Sequence, residues 1–198
     1  MNRITARIAT LLIVGELLLV MASWLLSATM GGAVRSLLST EGVRWLLGSF
    51  ADMLQTPLLI WLLLLAMAYG CMLGSGCLNR HNSRKHYRRV LTPLRGALLL
   101  VLLWVVLVAV LVVAPPGVLL SATGSLWPSP FSRALVPLVA LGVIVFAVAY
   151  GILARTFTSL ASIIGALAHG VALAAPLFVI YLLAAQFVAS LSFVFAQS

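Results

Sequence analysis

Residues 57–78 read PLLIWLLLLAMAYGCMLGSGCL, and residues 79–95 continue as NRHNSRKHYRRVLTPLR. The first stretch carries no charge over a length that reaches the ~20 apolar residues needed to cross a bilayer as a helix. The second gathers Arg80, Arg84, Lys85, Arg88, Arg89 and Arg95 into one short connection. A membrane-spanning helix that delivers the chain to a basic cytoplasmic loop at 79–95 accounts for both stretches.

Working outward, the same alternation recurs. Apolar stretches at about 8–28, 96–114, 133–154 and 170–195 join 57–78 to make five spans, with Pro115-Pro116-Gly117 stopping the third because proline cannot continue a helix. Of 198 residues, 64% are hydrophobic and 8% charged, against roughly 25% charged in soluble domains. Mean hydropathy is +1.22. The runs are continuous, whereas barrel strands would alternate in polarity over ~10-residue segments. The fold class is therefore an all-α integral membrane protein: one transmembrane domain over 1–198, five transmembrane helices, and one or two interfacial amphipathic helices. Arg3 and Arg7 give a basic start, but the apolar core Ile8–Leu26 is longer than a signal-peptide core, so the first helix is expected to stay.

Charge sets the expected orientation. Arg3, Arg7, the six basic residues of the loop and Arg155 fall on one side, and Arg35, Arg44 and Arg133 on the other. This bias places the N-terminus in the cytoplasm and the C-terminus outside. The formal net charge of +9 does not point to nucleic acid, because no aromatic stacking platform accompanies the basic cluster. Arg84, Lys85, Arg88 and Arg89 are instead expected to touch anionic lipid head groups.

Two connections have more structure than a loop. In about 40–54, Ser39 followed by Thr40, Glu41 and Gly42 has the form of a helix start, and Trp45 lies among leucines; this is an amphipathic helix for the outer interface, with Trp45 as its anchor. Thr158–His169 fits either a cytoplasmic interfacial helix or an extension that enters the bilayer and continues into the fifth span.

Few polar residues are left for chemistry inside the spans. Glu16 is the one acidic residue within them, and a carboxylate there usually faces a cavity, a polar partner or a proton path. Ser23 shares its helix face, Gln186 lies deep in the fifth span, and His169 sits at that span's inner boundary; these four make up a candidate intramembrane polar site. Gly70 and Gly74 provide a small-residue face for close helix packing. Pro137 and Pro176 predict kinks within the fourth and fifth spans. Cys71 and Cys77 have neither redox nor metal spacing and read as packing residues. The sequence has no HExxH, no GxSxG, no phosphate-cradling loop and no paired intramembrane carboxylates. No catalytic residue, metal or cofactor is expected, and the chain does not read as an enzyme.

Several pieces then fall into a familiar order. Ser23-Trp24-Leu25, Leu37-Leu38-Ser39 and Glu41-Gly42-Val43-Arg44-Trp45-Leu46 come first. Thr123-Gly124-Ser125-Leu126, Ser129-Pro130-Phe131 and Val136-Pro137-Leu138 follow, then Ala149-Tyr150-Gly151-Ile152 and Ala184-Ala185-Gln186-Phe187-Val188-Ala189. Together they resemble the p-aminobenzoyl-glutamate transporter (AbgT) family. The resemblance implies a dimeric protein of a group that moves folate-related or antimetabolite compounds on ion or proton gradients. Members of that group join a scaffold of spans to a transport part built from two re-entrant hairpins. Here the second span runs straight into the basic loop where the family inserts its first hairpin unit, and the chain stops soon after Ala189. The expectation is a shortened form resembling only the scaffold part and lacking the hairpin transport regions. The family's substrate-contacting asparagine, serine and aspartate motifs have no counterpart, so no binding residue carries over, and Glu16 is not part of the family pattern.

The function this implies is a small bacterial inner-membrane protein resembling the scaffold and dimerisation part of such transporters. It would be a reduced transporter or a transporter subunit, acting as a homodimer or higher oligomer, or with a partner membrane protein that supplies the missing part. The alternative is a non-transporting membrane scaffold or a regulatory or assembly protein. A continuous polar, wet cavity shared by Glu16 and Gln186 would favour transport, and lipid-facing or dry packing of both would favour the scaffold.

Overall fold

The computed structural model describes residues 3–29, 35–78, 87–113 and 130–195. Seven helices make up the regular structure among them: α1 (Arg3–Thr29), α2 (Thr40–Gly48), α3 (Phe50–Leu54), α4 (Pro57–Gly74), α5 (Tyr87–Val113), α6 (Pro130–Leu153) and α7 (Leu160–Phe195). Five of them, α1, α4, α5, α6 and α7, are long and apolar enough to cross a membrane. The chain is an all-α, multi-pass membrane protein.

The helix ends differ from those read by hydropathy, because hydropathy marks the bilayer and not the hydrogen-bond ladder. α5 begins at Tyr87, so Arg88, Arg89 and Arg95 are helical and the connection beginning at residue 79 is shorter than 79–95. Pro93 lies within the helix. α4 ends at Gly74, where the Ser75 hydroxyl turns back to the Met72 carbonyl (2.8 Å) and Gly76 takes φ +75°. α7 begins at Leu160, just after Ser159, whose Oγ accepts from the Ser162 N–H (3.3 Å) while the Ser162 Oγ accepts from the Ser159 N–H (3.4 Å). That reciprocal cap starts a single 36-residue helix, so Thr158–His169 leads directly into the fifth span. At 1.5 Å per residue α7 is ~54 Å long, well beyond the ~30 Å hydrocarbon core. Pro137 and Pro176 both lie inside continuous helices.

The residues group into two compact units, Met1–Ile60 with Ala174–Ser198, and Trp61–Leu173. In the second unit α4 and α7 meet through glycine. A methyl group on Gly70 would collide with the Gly170 backbone and come within 2.5 Å of the Ala166 carbonyl oxygen. Side-chain absence on both helices is what lets these backbones approach. Cys71, Ala147, Phe157 and Ala166 form a buried cluster beside this crossing. α5 packs along α6, with Ala97 buried against Ala149 and Tyr150. Two residues beyond the end of α6, Arg155 takes φ +58°, a left-handed residue after which the Thr156 and Phe157 N–H groups both reach back to the Gly151 carbonyl. The Thr156 hydroxyl then donates to the Ser75 carbonyl (3.0 Å), which ties the end of α6 to the end of α4.

Gly70 and Gly165 make a paired test, since nothing lies within 4 Å of a methyl group placed on Gly165. Gly70→Ala is expected to destabilise the protein by about 1–3 kcal/mol through overpacking. Gly165→Ala should be neutral or stabilise by up to ~1 kcal/mol. Denaturant unfolding of the two variants in one detergent compares them directly; equal effects would contradict the glycine crossing.

Candidate functional site

The site lies in the first unit and begins with an uncommon residue in α1. Glu16 is the central residue of that 27-residue helix, with ~20 Å of helix on either side of it. The helix starts at Arg3, ahead of the apolar run from Ile8, and this places Glu16 at its midpoint. α7 lies close here, since a methyl group on Gly15 would sit 3.3 Å from the Phe187 ring.

One turn further along α7 is Ser190, which has no exposed surface. Its hydroxyl donates to Glu16 Oε1 at 2.6 Å and accepts from Gln186 Nε2 at 3.3 Å. A serine hydroxyl has one proton to give, so the bonds run in one direction: amide to hydroxyl to carboxyl. Gln186 and Ser190 are four residues apart and therefore share a helix face.

This chain of bonds leaves two oxygens over. Glu16 Oε2 and Gln186 Oε1 are buried and have no partner among the described residues. Glu16 and Gln186 both line a cavity of about 620 Å³ whose other walls are Val20, Leu37, Leu38, Val43, Leu46, Leu47 and Phe50. A second cavity of about 430 Å³ lies between α5 and α6 in the other unit, and it is apolar apart from the Trp104 indole nitrogen. It offers no chemistry comparable with the first.

The wall formed by α2 has clear local causes. The Ser39 side chain caps α2 by accepting from the Gly42 N–H (3.0 Å), and Glu41 lies in the first turn, where the helix dipole favours an acid. Gly42 is buried against the chain before it: a methyl group there would lie 2.5 Å from the Ser36 carbonyl oxygen. The Leu37 N–H donates to Ser23 Oγ (3.2 Å), fixing the entry to α2 on α1. Trp45 stacks on Phe193 of α7 with ring centroids 4.4 Å apart, and the Arg35 guanidinium lies 6.0 Å from the same ring. The indole read as an interface anchor is thus held by a protein partner. Thr56 and Tyr181 close the unit with a hydroxyl–hydroxyl hydrogen bond.

The structure brings Glu16 and Gln186 together and leaves the other two candidates apart. Ser23 is buried, but its hydroxyl donates to the Val20 carbonyl (2.8 Å) and accepts from Leu37; it positions the cavity wall and does not touch Glu16. His169 is exposed on α7 within the other unit. Arg84 and Lys85 fall outside the described residues, and Arg88 and Arg89 lie in the first turn of α5. Among the described residues no three His, Cys, Asp or Glu side chains converge as metal ligands. Ser190 is the residue sequence reasoning missed.

Comparison with known proteins gives one match. The model of a family described as the AbgT putative transporter family matches residues 79–195, more than half of the chain. The matched stretch includes Ala149–Ile152 and Ala184–Ala189, so Gln186 lies within it; Glu16 and the quoted pieces between Ser23 and Leu46 precede it. No curated protein and no solved structure matches the chain.

Ser190→Ala should remove the link between α1 and α7, whereas Ser192→Ala removes an exposed hydroxyl bonded to its own helix at the Val188 carbonyl. The expected loss for Ser190→Ala is roughly 0.5–2 kcal/mol, with Ser192→Ala within about 0.5 kcal/mol of the parent. Unfolding in detergent distinguishes the two, and equal losses would contradict a bonded role for Ser190.

Proposed function

Since the chain belongs to the AbgT transporter family, we propose that this transporter-like membrane protein is a scaffold-type transporter subunit that works as a dimer or higher oligomer. The observation that carries the reading is how little of each span the chain covers by itself. At most 28% of the residues in the spanning window of any of the five helices are buried. The remaining helix surface is left for lipid, for further protomers or for a partner membrane protein. Five helices with one polar pair facing one cavity do not by themselves make a continuous polar path across a bilayer. A solute route would then form where protomers or a partner combine, with Glu16 and Gln186 as this chain's polar contribution.

The basic cluster at residues 80–95 and the short basic N-terminus support an inner-membrane location with the N-terminus cytoplasmic and the C-terminus outside. Arg84, Lys85, Arg88 and Arg89 would then meet anionic head groups. The polar residues that face the cavity form no nucleophile–base pair, which supports a role in binding and assembly over catalysis. The mostly apolar cavity wall favours a second reading, a non-transporting scaffold or assembly protein.

Native mass spectrometry from lipid nanodiscs is expected to give a dimer or higher oligomer. A monomer at every protein-to-lipid ratio would contradict the proposal. If the oligomer, reconstituted with its co-purifying membrane partners, fails to move p-aminobenzoyl-glutamate across vesicles, the non-transporting reading replaces the transport one.

A further inference from the structure

We propose that the cavity bounded by α1, α2 and α7 binds a small primary amine in its ammonium form, attached to an apolar body. Two observations specify this ligand class. First, Glu16 Oε2 and Gln186 Oε1 are both buried and both lack a donor among the described residues, while the third member of the cluster, Ser190, has its only proton committed to Glu16 Oε1. A buried acceptor left without a donor costs ~1–3 kcal/mol, so the site is completed by a group that brings at least two N–H or O–H bonds. Second, the rest of the lining is hydrocarbon, including Val20, Leu37, Val43, Leu46 and Phe50. No arginine or lysine is among the described residues that line the cavity, so a cationic ligand would meet no competing positive charge there.

Other occupants fit less well. An anion would meet the Glu16 carboxyl group at close range. An alcohol brings one donor for two acceptors, a quaternary ammonium brings none, and a pure hydrocarbon leaves both oxygens bare. A primary ammonium has three donors and the right charge. The volume of about 620 Å³ lies within the range of ordinary small-molecule pockets, so there is room for an alkyl or aryl body beside α2. This site lies wholly within one protomer and needs neither oligomer nor transport, so it goes beyond the subunit role proposed above.

The test is calorimetric titration of the full chain in phosphatidylcholine nanodiscs with hexylamine, hexyltrimethylammonium and hexanol. Hexylamine is expected to bind at least tenfold more tightly than either analogue. Glu16→Gln keeps an acceptor for Ser190 and should weaken hexylamine about tenfold or more while leaving hexanol unchanged. Leu46→Trp, which fills the cavity without touching the polar chain, should abolish binding of all three. Equal affinities for the three probes, or hexylamine binding that survives both variants in folded protein, would overturn the assignment. Loss of hexylamine binding in phosphatidylethanolamine nanodiscs would sustain the ammonium chemistry and make the lipid amine its source. Transport results do not bear on these readouts: hexylamine binding without any flux sustains this site and counts only against the transport role.

Discussion

The interaction on which the first unit depends is the hydrogen bond between Ser190 on α7 and Glu16 at the centre of α1. An acidic group at the middle of a membrane helix costs on the order of 3 kcal/mol to insert. An interhelical hydrogen bond in a membrane returns ~0.6 kcal/mol on average and about 1.7 at most. The bond to Ser190 therefore directs the carboxyl group without fully offsetting its cost. A leucine at position 16 would make a more stable helix, so the carboxyl group is best explained by what reaches its second oxygen. That oxygen is buried and borders a cavity together with the free oxygen of Gln186.

The two units are held by different chemistry, and the difference suits their contents. In the second unit, small residues bring backbones together: Gly70 against Gly170, with Cys71, Ala147 and Ala166 buried beside them. Lipid tails are as apolar as leucine, so close packing of this kind replaces the hydrophobic effect as the force between helices. In the first unit polar and aromatic groups do more of the joining, through Ser23 to Leu37, Ser190 to Glu16, Thr56 to Tyr181 and Trp45 to Phe193. These directed contacts fix the α2 segment to α1 and α7, and residues of all three line the cavity.

Much of this was legible in the sequence, for identifiable reasons. Continuous apolar runs marked all five spanning helices, and Ser39-Thr40-Glu41-Gly42 marked the start of α2. Glu16 and Gln186 stood out because ionisable and amide groups are costly in a span. Ser190 did not, since most hydroxyls in membrane helices bond to their own backbone, as Thr10, Thr29 and Ser192 do here. Nothing local separates Ser190 from those three; only the position of α1 does. Ser23 misled for the converse reason: seven residues from Glu16 is one helix face, yet its partner comes from the chain entering α2. Gly70 was visible as half of a close contact, and Gly170, a hundred residues away, was not identifiable as the other half. The helix ends at Arg3, Tyr87 and Leu160 were missed because basic residues and caps lie beyond the apolar window that hydropathy detects.

A double-mutant cycle between Glu16 and Ser190 tests the central interaction most directly. Unfolding free energies of Glu16→Ala, Ser190→Ala and the double variant, taken in one lipid or detergent system, give the coupling between the two side chains free of their separate costs. A coupling of roughly 0.5–2 kcal/mol is expected if the hydroxyl on α7 holds the carboxyl group of α1. Additive losses, with no coupling beyond error, would contradict it.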